Sequence, residues 1–400
     1  MKKILILGGG YGGLKCATTL QKNIKDQELS VTLISKHDYH YPTTLLHKVA
    51  VGTYSDRKAR IFYRNLLKKV NFIKDKVTKI SIKDKKVYGK NNSVYDYDYL
   101  VIGLGFKVNC YDVKGADEFA YKISTLNKAL LIRDNIETGF KNYSFTNDKN
   151  ALSFIICGSG FTGVEFAAEL AKKIPQLCKI SGIDPKVPKV YLIGRGKRIL
   201  PMFEEKLSLK AQQKLQACGV TLVKGNVIEI RKNCVFVKNE DGNVEEIYGN
   251  TIVWSAGVKG SPVISNSELK NKNDRICVNE YLQMIEHDDI FVVGDCAIAN
   301  DRDLIHAPTA QLASQMGEYC AYNLLKLTSG KILDKPFKFI HRGTVCSIGH
   351  TDGIGLAYGI NLSGEVAAFL KNIIENKWIL SISNIITVFK KGQFRFRSSD

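Results

Sequence analysis

Ile4-Leu5-Ile6-Leu7-Gly8-Gly9-Gly10-Tyr11-Gly12-Gly13 opens the chain behind Met1-Lys2-Lys3, and Leu14-Lys15-Cys16-Ala17-Thr18-Thr19-Leu20 follows. The apolar run has strand length, and the segment after the glycines reads as a helix. Glycines stand at 8, 10 and 13, the spacing G-x-G-x-x-G. In that spacing the first glycine permits a tight turn, the second lets backbone approach a pyrophosphate, and the third lets helix pack on strand. The helix N-terminus then offers free N–H groups and positive partial charge to the phosphates.

One such motif is weak evidence, but this one recurs. Leu152-Ser153-Phe154-Ile155-Ile156 is a strand, Cys157-Gly158-Ser159-Gly160-Phe161-Thr162-Gly163 a glycine turn, and Val164-Glu165-Phe166-Ala167-Ala168-Glu169-Leu170 a helix. Gly158, Gly160 and Gly163 repeat Gly8, Gly10 and Gly13 with a constant offset (158 − 8 = 150). Two units in register imply two dinucleotides in one chain, and the natural pairing is a flavin with a nicotinamide cofactor.

The tip of the second strand in each unit bears on the ribose. An acidic residue there holds the hydroxyls, and an arginine accommodates a 2′-phosphate. Val31-Thr32-Leu33-Ile34 ends in Ser35-Lys36, so a hydroxyl and an ammonium replace the acid. Val190-Tyr191-Leu192-Ile193 ends in Gly194-Arg195-Gly196-Lys197-Arg198. Arg195 suits the 2′-phosphate of NADPH, while a solvated basic loop is the plain alternative, so NADH and NADPH both stay open.

Composition sets the outer limits. Four hundred residues exceed one ordinary core, which predicts two or three domains. The chain is 44% hydrophobic and 24% charged, as globular proteins are. Its net charge of +19 suggests an anionic partner, nucleic acid or a phospholipid surface. Ten cysteines are scattered without a C-x-x-C pair, which argues for reduced thiols over a disulfide scaffold or a zinc site. The four apolar residues before the glycines are too few for a signal peptide, and no apolar segment reaches the ~20 residues that cross a bilayer. The expected location is the cytoplasm, or the cytoplasmic face of a membrane.

Further along, residues 56–95 alternate basic and apolar positions, with Val70–Ile73 and Val77–Ile80 as strands of a meander. Tyr97–Gly105 reads as a buried strand ending in glycines. Thr251–Gly257 reads as a strand returning to the first domain. Asp289–Val293 ends in Gly294-Asp295 before an expected helix. Asp295 suits the ribityl or pyrophosphate part of a flavin, and a helix N-cap is its plain alternative. In the helix from about Thr309 to Leu327, Gln311 and Gln315 share a face. Small residues at 310, 313, 314 and 317 leave room there for a flat ring. Phe337–Gly359 reads as glycine-punctuated strands. Glu365–Asn376 has helical apolar spacing, and Trp378–Phe389 is a second apolar stretch of twelve residues (389 − 378 + 1). With Lys390, Lys391, Arg395 and Arg397 behind them, these stretches suit helices lying in a membrane interface. A helix packed on the body, or a homodimer contact, would use the same pattern.

Together these residues resemble the type II NADH dehydrogenases, flavoenzymes that pass electrons from NADH to a membrane quinone. The resemblance runs through Asp38-Tyr39-His40-Tyr41, Gly160–Phe166, Leu200-Pro201-Met202-Phe203, Trp254–Val258, Gly294-Asp295-Cys296, Ala310-Gln311 with Gln315, and Arg342–Cys346. It implies an α/β fold of two Rossmann-like dinucleotide-binding domains with a glutathione-reductase-like arrangement, plus a C-terminal α+β membrane-anchoring region. The implied limits are 1–115 and 258–330 for the FAD domain, 116–257 for the NAD(P)H domain and 331–400 for the C-terminal region.

The same resemblance implies non-covalent FAD held by Gly8, Gly9, Gly10, Tyr11, Gly12, Gly13, Ser35, Lys36, the Val77 backbone, Asp295, Ala310, Gln311 and Lys371. It implies that Gly158, Gly160, Gly163, Glu165 and Arg195 meet the nicotinamide cofactor, that Glu165 is catalytic, and that Gln311 and Gln315 line a pocket for a menaquinone or ubiquinone. No metal and no nucleic acid are expected. Gly194 departs from relatives with an acid at that tip.

Two rivals stand beside this reading. A sulfide:quinone reductase would use a cysteine pair beside the flavin, yet none lies between Cys16 and Cys110, Cys157 sits in a glycine turn, and Cys346 lacks an evident partner. A flavin- and NADH-gated scaffold resembling apoptosis-inducing factor would use the basic surface on nucleic acid. The apolar, tryptophan-bearing C-terminus and the Gln311/Gln315 helix favour a quinone.

Overall fold

The computed structural model describes residues 1–24, 29–301 and 304–394. Strand β1 (Lys2–Leu7) runs into helix α1 (Tyr11–Asn23) and returns as β2 (Leu29–Ser35). After a short helix α2 (Leu46–Val51) come β3 (Asn71–Lys74), the meander β4 (Val77–Ser81), β5 (Lys86–Gly89) and β6 (Val94–Asp96), and then β7 (Tyr99–Ile102). The second unit holds β8 (Tyr121–Lys122), α3 (Leu126–Thr146), β9 (Ser153–Cys157), α4 (Phe161–Ser181), β10 (Lys189–Gly194), β11 (Val220–Lys224) and β12 (Thr251–Trp254). Then follow β13 (Ile290–Val292), α5 (Ala310–Thr328), β14 (Thr344–Ser347), β15 (Gly353–Ala357), β16 (Ile360–Ser363), α6 (Glu365–Ile382) and α7 (Ile385–Lys391).

Two five-stranded sheets carry the fold, in the orders β13-β7-β1-β2-β3 and β8-β12-β9-β10-β11. All pairings within them are parallel. Parallel strands are covered on both faces, which is why they read as continuous apolar runs. In each sheet the glycine-bearing strand lies at the centre. The repeat extends to single bonds: Gly8 N–H donates to Ile34 O at 2.8 Å, and Gly158 N–H donates to Ile193 O at 2.9 Å.

The structure corrects several local expectations. Asn71–Lys74 is the edge strand of the first parallel sheet, and only β4–β6 form the meander. Thr251–Trp254 pairs inside the second sheet, beside β9, rather than returning to the first. Asp295 lies within a single 3-10 turn, Gly294–Cys296, and the next α-helix begins only at Ala310. Strands within 337–359 begin at Thr344, because 331–343 runs irregularly across α5. The apolar stretch from Trp378 is not a separate element: α6 continues through Trp378 to Ile382, and a break at Asn384, which caps Thr387 N–H, starts α7.

Trp378 is buried beneath that helix, so it is not an interface residue. Arg395 and Arg397, read as part of the basic end, lie outside the described residues. Of the small residues of α5, Gly317 serves closeness between helices rather than room for a ring. A Cβ on Gly317 would come 2.1 Å from Gly12 O, and Ala313 O lies 3.2 Å from the Cβ that Gly12 lacks. Thus α5 packs directly on α1. No helix among the described residues is long and apolar enough to cross a membrane.

Candidate functional site

Both glycine turns are open cradles. Gly8 has φ +96° and Gly158 φ +124°, where a side chain is strained, and a Cβ would also strike Gly103 O at 2.2 Å or Ala256 N at 2.8 Å. Gly13 and Gly163 bring their helices to within 2.0 and 1.8 Å of the preceding glycine's carbonyl, measured from the absent Cβ. Gly10 and Gly160 have nothing within 4 Å at that position. Neither α1 nor α4 has a side-chain cap, so their first N–H groups face this open space. Open volume, free donors and a helix dipole are what a bound pyrophosphate requires, and both turns fit one.

Around the first cradle the chain supplies a second layer. Gly9 O accepts from Tyr63 Oη at 2.8 Å and meets His40 Nδ1 at 3.1 Å. Trp378 Nε1–H donates to His40 Nε2 at 3.0 Å. Indole nitrogen only donates, so Nε2 accepts and the imidazole proton sits on Nδ1, pointing at Gly9 O. Burial pushes His40 down to about 4, against the opposing bond to Gly9, so this imidazole is neutral. Tyr11 packs on Trp378 at 4.5 Å between ring centroids. Ser35 and Lys36 stand at the tip of β2. Burial, with Lys128 and Lys76 nearby, holds the Lys36 ammonium below the ordinary lysine value, a site with unmatched positive charge. Val77 is buried at the start of β4. Burial raises the Asp295 carboxyl above the usual range, opposed by Arg275.

Glu165 lies just past the first turn of α4, is buried, and reaches the C-terminal region. Its Oε1 accepts from Ser347 N–H and Ser347 Oγ, each at 3.0 Å, and lies 3.1 Å from Lys371 Nζ. His47 Nδ1 stands 3.6 Å from Oε2. Burial works against its charge, but Lys371, His47 and the Ser347 N–H outweigh burial and hold its carboxyl below the usual value. Lys371 is held above the ordinary lysine value: burial opposes the charge, and Glu165 and Glu375 more than offset it.

Glu375, one turn on, is 4.0 Å from Lys371 Nζ, and burial lifts its carboxyl above the usual range. Thr44 Oγ1 donates to Glu375 Oε2 at 2.9 Å. A hydroxyl has one proton, so Tyr11 Oη must be the donor in its 3.0 Å bond to Thr44 Oγ1. A continuous, largely buried line therefore joins the helix of the first cradle to Glu165: Tyr11, Thr44, Glu375, Lys371, Glu165, with the two carboxylates buried and the other three half-buried.

Two more groups flank this line. Lys48 is buried and its amine donates to Gln393 Oε1 at 2.5 Å, which ties the chain's end to α2. Glu169, one turn beyond Glu165, is buried with neither oxygen hydrogen-bonded among the described residues, in electrostatic range of Lys48 and His47.

Gln311 and Gln315 share a face of α5 as expected, and both hold backbone. Gln311 donates to Gly343 O at 3.3 Å and accepts from Arg342 N–H at 2.8 Å. Gln315 donates to Ile340 O at 2.9 Å and accepts from Ile340 N–H at 3.0 Å. They position the 340–343 segment beside Ala310. Arg195 is exposed beyond β10. All ten cysteines are free thiols.

Sequence reading missed Thr44, His47, Lys48, Tyr63, Ser347 and Glu375. One signal was available: Lys371 and Glu375 stand at i and i+4 among the apolar residues of one helix, as Glu165 and Glu169 do. The rest meet only through the fold.

Comparison with known proteins agrees with this geometry. The family described as pyridine nucleotide-disulphide oxidoreductase matches residues 2–317. A Staphylococcus aureus (strain NCTC 8325 / PS 47) protein named type II NADH:quinone oxidoreductase is 37% identical over 98% of this chain and 99% of its own length. A Staphylococcus saprophyticus protein of the same name is 37% identical over the same shares. The fold of NDH2 from Plasmodium falciparum in complex with NADH superposes with a TM-score of 0.88 at 21% identity, over 98% of this chain and 97% of that one. The sulfide:quinone oxidoreductase from Aquifex aeolicus superposes at 0.78 and 20% identity, over 96% and 92%. At those identities the structures show the shared fold alone.

Proposed function

The chain belongs to the pyridine nucleotide-disulphide oxidoreductases and, within them, to the type II NADH:quinone oxidoreductases, and from that premise we propose that it oxidises NADH with FAD and passes two electrons to a quinone. FAD, bound without a covalent link, supplies the two-electron store between donor and acceptor.

The residues that would hold it are Gly8–Gly13, Ser35, Lys36, the Val77 backbone, Asp295, the Ala310-Gln311 corner and Lys371. Gly158, Gly160, Gly163 and Glu165 would hold the nicotinamide nucleotide. Gln311 and Gln315 would shape the quinone pocket through the backbone segment they clasp. The two parallel sheets and the separate C-terminal sheet support division into 1–115 with 258–330, 116–257 and 331–400.

The single observation that carries the reading is the polar line from Tyr11 to Glu165, with both of its carboxylates buried. It links a flavin-side helix to the helix of the second cradle, and it contains groups of opposed tendency. Glu165 stays ionised beside Lys371, whereas Glu375 is raised and can carry a proton. A proton on Glu375 has a hydroxyl path through Thr44 to Tyr11. Quinone reduction consumes protons, and a pair of carboxylates pushed apart in this way can supply them.

Membrane association rests on α6 and α7. Val366, Phe369, Leu380, Ile385, Ile386 and Phe389 are exposed, and Lys390 and Lys391 follow. Apolar side chains with adjoining cations suit an anionic phospholipid surface approached from the cytoplasmic side. A homodimer would cover the same face, so liposome binding and solution mass distinguish the two.

Nothing favours sulfide as donor. Cys157 is buried at the end of β9 with its thiol pushed up to about 12, and Cys346 is buried with its thiol raised. A reactive cysteine needs the opposite. Steady-state quinone reduction with NADH against sulfide tests this: turnover with NADH alone is expected, and turnover with sulfide alone would overturn it.

A further inference from the structure

The donor-side strand tip is basic where the general dinucleotide-binding fingerprint places an acid. An acidic residue there binds the ribose hydroxyl, and an arginine accommodates the 2′-phosphate. β10 ends at Gly194 and continues Arg195-Gly196-Lys197-Arg198, with no acidic residue from 194 to 203. Lys224 at the end of β11 is the register partner of Gly194, which puts another cation beside the tip. Arg195 and Lys197 are exposed and make no ion pair among the described residues, whereas Lys224 has Glu240 at 2.7 Å.

The place of the acid is also filled. A Cβ on Gly194 would lie 2.3 Å from Ser159 Oγ and 2.7 Å from Ser159 Cβ. Ser159 belongs to the second glycine turn, so its hydroxyl occupies the position from which an acidic side chain would reach the ribose. A hydroxyl and an arginine fork together form an anion site, and a phosphate of nearly two charges suits that fork far better than a ribose hydroxyl does.

We propose that NADPH is a second electron donor for this enzyme, its 2′-phosphate held by Arg195 and Ser159 with Lys197 and Lys224 beside them. The proposal rests on the reading that the second cradle holds a nicotinamide nucleotide.

The test uses the flavin-loaded full chain. Steady-state kcat/KM is measured for NADH and NADPH with one quinone, and calorimetry compares adenosine 2′,5′-bisphosphate with 5′-AMP. NADPH should turn over within about tenfold of NADH, and the bisphosphate should bind about tenfold tighter than 5′-AMP at low salt. Arg195→Ala should lower the NADPH:NADH ratio of kcat/KM by about tenfold and remove the preference for the bisphosphate. The pair Gly194→Glu with Ser159→Gly, which clears both atoms in the way, should shift the ratio towards NADH, with flavin content per chain reporting that each variant folds. NADH turnover without NADPH turnover, with the bisphosphate no tighter than 5′-AMP, would overturn the proposal and leave the donor site standing. An Arg195→Ala variant with an unchanged ratio would overturn it too. Failure of both nucleotides would instead remove the reading beneath it.

Discussion

Lys371 Nζ lies 3.1 Å from Glu165 Oε1, with side chains only 11% and 5% exposed, and this pair joins the C-terminal helix α6 to the helix that follows the second glycine cradle. Removing one member of a nearly buried pair strands the other, at a cost of about 3–5 kcal/mol. Lys371→Met should therefore destabilise the holoprotein by roughly that amount in chemical denaturation. Adding Glu165→Gln should recover part of the loss, since the carboxylate at 165 is then no longer left without its cation. Strictly additive losses would show that the two do not interact.

Glu165 itself keeps its Ser347 donors when it becomes an amide. Glu165→Gln should retain FAD while kcat falls by about 10²-fold, the lower range for a lost proton-transfer group. Flavin content and turnover are measured on the same preparation, and unchanged turnover would take Glu165 out of the reaction.

Glu165 and Glu375 should give pH dependences of opposite sign. Glu375 is raised above 4.5, so its contribution to stability is full below pH 4.5 and is lost as pH rises through its folded value. Glu165 is lowered below 4.5, so its contribution is present above pH 4.5 and is lost as pH falls through its folded value. From acid towards neutral pH, Glu375→Gln should gain on the wild type in denaturation midpoint. Below pH 4.5, Glu165→Gln should gain on it as pH falls. Slopes of the same sign would contradict the assignment.

The glycines of the first cradle separate folding from binding. A Cβ on Gly13 would meet backbone at 2.0 Å, whereas one on Gly10 meets nothing within 4 Å. Gly13→Ala should cost about 3 kcal/mol or more by overpacking. Gly10→Ala should fold normally and retain less flavin. Equal stability loss in both would mean that Gly10 has a packing role.

The C-terminal region separates in the same way. Phe389 and Ile386 are 71% and 61% exposed, while Trp378 is 8% exposed beneath Tyr11. Replacing both exposed residues with Asp should weaken liposome binding at least about tenfold, at roughly 1–2 kcal/mol per apolar side chain. Trp378→Phe removes the N–H that fixes the His40 tautomer, so it should weaken flavin retention and leave liposome binding intact. Liposome binding that survives the Asp pair would place the anchor elsewhere.

The two cradles were legible in the sequence because glycine spacing between an apolar strand and a helix is a local constraint, fixed by the turn itself. Their repetition gave the fold class as well. Glu165 and Lys371 stood out only through the resemblance, and the rest of the polar line was not legible, since Thr44, Ser347 and Glu375 come from distant segments and each alone reads as an ordinary residue. Trp378 misled for a related reason. A tryptophan in an apolar helix suits an interface or a core equally, and only the fold shows His40 and Tyr11 beneath it. The α5 glycine, Gly317, misled likewise, because closeness to Gly12 and room for a ring ask for the same small side chain.

The central claim is that the first cradle holds a flavin which the donor in the second cradle reduces and a quinone reoxidises. Anaerobic mixing of the flavin-loaded chain with NADH, followed by a menaquinone or ubiquinone analogue, measures this directly through flavin absorbance. Bleaching on the first addition and full return of colour on the second are expected. A chain that takes up no flavin, or a bleached flavin that no quinone restores, would contradict the account.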